Sequence, residues 1–116
     1  MKDRTMVDMI LNELIERKTE DIVCYYVGPE SSISEYVVIG TATSTPHVNA
    51  IAEYTIDNMK AKEIRPFAVE GKGDSRWVCL DFGEVMVHLM CKTERDYYNL
   101  EAIWGGCEKI EVPGQD

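Results

Sequence analysis

The sequence predicts a single α/β domain in which helices pack on a mixed sheet of about five strands. Three observations predict it. Residues 77 to 90 read as a β-hairpin with two unlike faces, two helix-period stretches flank short β-rich runs, and a small-residue turn at 40 to 46 leads from a strand end into a helix start. A chain of 116 residues is long enough to bury roughly two-thirds of the surface its unfolded form exposes, so one domain suffices.

In chain order, Met6, Val7, Ile10, Leu11, Leu14 and Ile15 fall on one face of a helix spanning about residues 3 to 17, with Asp8, Asn12, Glu13 and Glu16 opposite. Ile22 to Val27 is a short strand broken by Gly28-Pro29-Glu30-Ser31-Ser32. Tyr36 to Gly40 is too continuously apolar to have a wet face and is expected at the sheet centre. Thr45 as N-cap and Pro46 at the first helical position open a helix to about Lys62, with Val48, Ile51, Ala52, Thr55, Ile56 and Met59 inward. Pro66 precedes a strand at Phe67 to Val69, and Gly71-Lys72-Gly73-Asp74-Ser75 is a flexible turn.

The hairpin carries the most information. With Gly83-Glu84 at the tip, glycine occupies the first central position of a type II′ turn. Phe82 then opposes Val85, Leu80 opposes Val87 and Val78 opposes Leu89, all on one apolar face. The other face pairs Asp81 with Met86, Cys79 with His88 and Trp77 with Met90. A slip by one residue would scramble both sets. After the hairpin, Thr93 to Asp96 resembles a capping box that opens a helix through Tyr97, Leu100 and Ile103, stopped by Gly105-Gly106. The domain is expected over 1–105, and 106–116 as a flexible tail.

A formal net charge of -9 disfavours nonspecific binding to DNA or to an anionic membrane, both of which need a positive field, and suits a basic protein partner. No apolar run approaches the ~20 residues that span a bilayer. Met1 to Thr5 leads into a segment broken by Asp8, Asn12 and Glu13, unlike a signal peptide. Cys24, Cys79, Cys91 and Cys107 are scattered without zinc or redox spacing, so they are expected to be free thiols of a cytoplasmic protein.

Two stretches could carry chemistry. The Gly40 to Ser44 turn could cradle a phosphate at a helix N-terminus, although it is no P-loop. Asp81 and His88, diagonal across the hairpin, could form an acid/base dyad, with no nucleophile motif or second carboxylate to complete a site. His47 is expected to face solvent. The mixed hairpin face allows two readings: ordinary interior if a helix of the chain covers it, or a protein-binding patch if it is open. As a patch it comprises Trp77, Met86 and Met90 as apolar anchors, Asp81, Glu84 and Glu70 as charges, and His88 at the centre. An open apolar face also seeks cover, which makes pairing with a second copy an expectation for the free chain.

Four stretches in order, Gly40 to Val48, Arg65 to Gly71, Trp77 to Met90 and Tyr97 to Trp104, resemble the successive motifs of the ribosomal silencing factor, or Iojap-like, family from about residue 5 to 105. The resemblance implies a non-enzymatic factor without cofactor. It binds the large ribosomal subunit through the fourteenth large-subunit protein and obstructs small-subunit joining, lowering translation when nutrients are short. It also implies a nucleotidyltransferase-like topology lacking those enzymes' metal-binding carboxylate pair. The alternative is a nucleotide-binding or nucleotidyl-transferring enzyme built on the Gly40 to Ser44 turn and Asp81. Tyr26, Glu30, Ser34-Glu35, Ala42 and Pro46 depart from the family's usual aspartate, lysine, Thr-Asp pair, glycine and polar residue, so the partner-binding expectation rests on the hairpin and the last helix.

Overall fold

A computed structural model describes residues 3–73 and 75–115. Met1, Lys2, Asp74 and Asp116, and with them part of the expected N-terminal lead, the 71–75 turn and the tail, lie outside the described residues. The elements run α1 (Thr5–Glu16), β1 (Glu20–Tyr26), a 3₁₀ turn (Gly28–Glu30), β2 (Tyr36–Ala42), α2 (Thr45–Ala61), β3 (Ala68–Glu70), β4 (Trp77–Asp81), β5 (Val85–Cys91), α3 (Lys92–Tyr98), a second 3₁₀ turn (Leu100–Trp104) and β6 (Glu108–Ile110). Among the described residues the sheet has six strands in the order β3-β4-β5-β2-β1-β6, one more than the sequence suggested, and only β2 and β5 pair in parallel. Helix α2 with the following strands supplies the long crossover a parallel pair needs.

The hairpin forms in the expected register, from Trp77 opposite Met90 to Asp81 opposite Met86. Phe82 N–H donates to Val85 O at 2.9 Å, and Gly83 has φ +84°, the conformation a type II′ turn asks of its first central residue. A Cβ on Gly83 would also come within 2.6 Å of the Phe67 ring. Gly83→Ala is therefore expected to lower stability by about 1–2 kcal/mol, measured as the shift of a urea unfolding midpoint at unchanged slope.

Val78, Leu80, Phe82, Val85, Val87 and Leu89 join β1, β2, α1 and α2 in the main hydrophobic core. All six α2 residues expected inward are buried. Strand β2 is buried along its whole length, as its unbroken apolar run and central place require. Local details differ. Ser44, not Thr45, is the N-cap of α2, because its hydroxyl reaches the His47 N–H at 3.2 Å. Glu13, expected on the wet side of α1, is buried between the two long helices, where Oε1 accepts from Arg17 Nε and Asn58 Nδ2.

Two larger corrections concern the C-terminal third. Cys91, not Thr93, sits at the N-cap of α3 and makes no side-chain capping bond, so the capping box does not form. The helix ends at Tyr98 because Asn99 turns left-handed, at φ +47°. The segment 106–116, expected as a flexible tail, instead supplies β6, which pairs antiparallel with β1. Ile110 and Val112 are buried in the main core, and Gln115 Oε1 accepts the Ile22 N–H at 2.9 Å. Among the described residues no helix is long and apolar enough to cross a membrane.

Candidate functional site

Directly paired residues share a sheet face, so the register places Glu70, Trp77, Cys79, Asp81, Met86, His88 and Met90 on the face turned away from α1 and α2. Val37 and Ile39 of β2 and Val23 and Tyr25 of β1 continue it. The chain folds back over half of this face. Tyr25, Val27, Val37, Ile39 and Met90 form a second, smaller core, with Leu100, Trp104, Cys107, Trp77 and Met86 packed around it. The face is therefore interior under the Leu100–Trp104 turn and open toward β3 and the hairpin tip.

Met90, expected as a partner anchor, is fully buried. It supports the face from beneath and cannot touch a partner. His88 is half-buried, and its ring lies 5.9 Å from Trp77 and 6.2 Å from Trp104. Its partner is not Asp81: Trp77 Nε1–H donates to His88 Nδ1 at 3.1 Å. Asp81 Oδ1 instead accepts the Gly83 N–H at 2.8 Å, closing the hairpin turn as an Asx bond. Asp81 and His88 thus form no acid/base dyad, and His88 has the structural role that its sequence context favoured.

Burial among these rings pushes the His88 imidazole down to about 4. Protonating Nδ1 would also set two donors, Trp77 N–H and His88 N–H, against each other. The unfolded chain takes up the proton near pH 6.5 and the folded one only near 4, so this contribution to stability is complete above about pH 6.5 and is lost as pH falls toward 4. The stability difference between the native protein and His88→Asn is expected to narrow by on the order of 2 kcal/mol over that window, read from urea melts at each pH.

Cys79 lies opposite His88 and packs its sulfur 3.3 Å from Met86 Sδ. Burial, then the Asp81 and Glu70 carboxylates, push its thiol up to about 11, so it stays protonated at neutral pH and is no nucleophile. Among the described residues Glu70, Asp81 and Glu84 enter no ion pair. Glu70 is exposed, Asp81 and Glu84 half-buried.

The stretch after the hairpin adds exposed apolar side chains beside this face that the expected site residues did not include. Tyr97 is 81% exposed, Tyr98 52% and Ile103 66%. A continuous helix would turn Tyr97 and Ile103 inward. The break at Asn99 rotates the segment so that Leu100 and Trp104 pack inward instead. The Tyr98 ring lies 4.9 Å from that of Trp77 at a tilt of 46° and extends the open aromatic surface. The signal available was the aromatic density of Tyr97-Tyr98 and Trp104 itself, which exceeds what one helix stripe can bury.

The Gly40 to Ser44 turn is occupied by its own chain. Thr43 N–H donates to His47 Nδ1 at 2.9 Å, and His47 Nε2–H donates to the Arg17 carbonyl at 3.0 Å. His47 is thus a half-buried tie between the turn and the end of α1, not a solvent-facing residue. Gly40 is small because a Cβ there would meet Thr19 Cγ2 at 2.5 Å. Asp81 pairs with Met86 and so lies level with Val37, whereas the turn follows Ala42. Three residues of strand, about 10 Å, and two strand spacings, roughly another 10 Å sideways, separate Asp81 even from Gly40 at the start of the turn. A single nucleotide site using both the turn and Asp81 is therefore not assembled.

The fold and this face define a small single-domain α/β protein with a half-covered sheet, a class with solved members. A crystal structure of a protein from Chromobacterium violaceum superposes with a TM-score of 0.86 at 26% identity, covering 99% of this chain and 98% of that one. One from Bacillus halodurans gives 0.84 at 29% identity over 95% and 100%. The family model described as ribosomal silencing factor during starvation matches residues 1–116, and the chain belongs to that family. It is 32% identical over 114 residues to the ribosomal silencing factor of Halalkalibacterium halodurans, covering 98% of this chain and 97% of that protein. It is 37% identical over 101 residues to the mouse mitochondrial assembly of ribosomal large subunit protein 1, covering 84% of this chain but only 44% of the mouse protein. It is also 34% identical over 99 residues to the chloroplastic protein Iojap of Arabidopsis thaliana, spanning 85% of this chain and 41% of that relative.

Proposed function

We propose that this chain acts in the cytoplasm as a steric repressor of translation. It docks on the large ribosomal subunit through a basic ribosomal protein, the fourteenth of that subunit, and its bulk obstructs joining of the small subunit when nutrients are short. Its nucleotidyltransferase-like shape serves as a frame and carries no catalysis. The observation that supports this reading is the open half of the second sheet face. Trp77, Tyr98 and Met86 offer aromatic and thioether surface, and Glu70, Asp81 and Glu84 stand at its rim without ion-pair partners among the described residues. Met90 underlies these anchors. In the free protein the same apolar area is where a second copy would pair.

The test is sedimentation of purified large subunits with the protein through sucrose, followed by small-subunit addition. Co-migration with the large subunit and a diminished joined peak are expected. Because carboxylates at a rim act mainly on association rate and specificity, the bound fraction is expected to fall as salt rises from 50 to 500 mM, roughly the range over which surface charges become screened. Normal subunit joining with the protein left at the top of the gradient overturns the reading.

A further inference from the structure

One left-handed residue ends the helix before the turn beside His88. Asn99 is left-handed, its N–H donates to the Arg95 carbonyl at 3.0 Å, and the five-residue Leu100–Trp104 turn that follows buries no residue completely. A single 3₁₀ turn is too short to hold a pose by its own hydrogen bonds. Beyond the packing of Leu100 and Trp104 in the second core, a side chain from the preceding helix ties it to the sheet.

Arg95 is only 8% exposed. Its Nε and Nη2 donate to the two carboxylate oxygens of Glu101 at 3.2 and 3.0 Å. Its Nη1 donates to Thr41 Oγ1 on β2 at 2.8 Å and to the Asp21 carbonyl on β1. One planar cation thus grips the sheet at one end and the turn at the other, and the two-pronged contact fixes angle as well as distance. Residues three apart eclipse in a 3₁₀ turn, so Glu101 stands directly over the same side as Trp104. Trp104 lies 6.2 Å from His88, and Tyr98, at the end of the helix that carries Arg95, lies 4.9 Å from Trp77.

We propose that the Arg95–Glu101 pair is the positioning element of the docking face. It sets the pose of the Leu100–Trp104 arm, and with it the surface formed by Trp77, His88, Tyr98 and Trp104. The assignment rests on the docking reading above and deepens it. A lysine at 95 could not replace the arginine, because one ammonium cannot present a planar fork to a carboxylate and still reach Thr41 and Asp21.

The test compares Glu101→Ala and Glu101→Gln with the native chain. Both leave Arg95 its bonds to β1 and β2, and Glu101 is itself partly exposed, so the domain is expected to stay folded. Three quantities are read: the Trp104 indole and His88 ring resonances, the thermal midpoint, and co-sedimentation with large subunits. Glu101→Ala is expected to move both resonances and to weaken large-subunit binding about tenfold, with the midpoint lowered by a few degrees. Glu101→Gln, which keeps one acceptor, should fall between. Unmoved resonances in Glu101→Ala overturn the assignment, because the arm is then held by something else. Displaced resonances with binding within about twofold of native overturn it too, because the arm's pose then does not matter to docking. If the native chain itself does not co-sediment, the docking reading falls, and the resonances alone still decide whether the pair holds the arm.

Discussion

Arg95→Ala is expected to lower the unfolding free energy by about 3 kcal/mol, which would make it among the most damaging single substitutions outside the main core. The variant leaves the Glu101 carboxylate without its cation, the Thr41 hydroxyl and Asp21 carbonyl without their donor, and a cavity between α3 and the sheet. Asp21 adds to the consequence. It sits at φ +46° beside an irregularity in the β1–β2 register, and Arg95 is the side chain that bonds its carbonyl. Urea unfolding followed by far-UV circular dichroism measures the effect through the midpoint. A shift worth less than about 1 kcal/mol would show that the buried cation's desolvation cancels its bonds.

Trp77→Ala is expected to weaken large-subunit binding by ~2 kcal/mol or more, roughly 30-fold, if the open face is the docking surface. The ring is half-buried and held from three sides: its N–H donates to His88, the tilted Tyr98 ring packs against it, and Met90 faces it across the strands. An anchor so fixed loses little freedom on binding, and that is where interface energy concentrates. Trp77→Phe keeps an aromatic contact with Tyr98 and removes the donor, so it should bind with intermediate strength. The measurement is co-sedimentation over a protein titration, with circular dichroism to show that each variant is folded. Native affinity in folded Trp77→Ala would remove the residue from the site.

The two substitutions act at different distances from the partner. Trp77 would touch it, whereas Arg95 would alter the face from beneath, through the arm and through its bonds to β1 and β2. Glu101→Ala separates these effects, since it frees the arm while leaving Trp77 bonded to His88 through the hairpin alone.

What the sequence determined by itself was whatever short-range pattern dictates. The hairpin register was legible because alternate residues must point to opposite faces, and only one pairing of Val78, Leu80, Val87 and Leu89 puts all four on the core side around a glycine able to take φ +84°. The inward face of α2 and the central burial of β2 followed from period and from unbroken apolarity in the same way. The order of the motifs was enough to indicate the family.

What only the tertiary structure decided depends on groups far apart in sequence. Nothing local to Arg95 shows that Asp21, 74 positions away, and Thr41, 54 away, supply the acceptors that let a guanidinium sit in the interior. The pattern at Tyr97, Leu100 and Ile103 fits a continuous helix, and Asn99 breaks it while Arg95 and Glu101 hold the chain beyond at a new angle. That angle buries Met90, half-covers His88 and leaves Tyr98 outside. In the same way β6 forms because β1 offers it an edge, although its own residues carry only a weak strand signal. The hairpin's pattern specified the face itself. Contacts arriving from the other end of the chain determined how much of that face remains open to a partner.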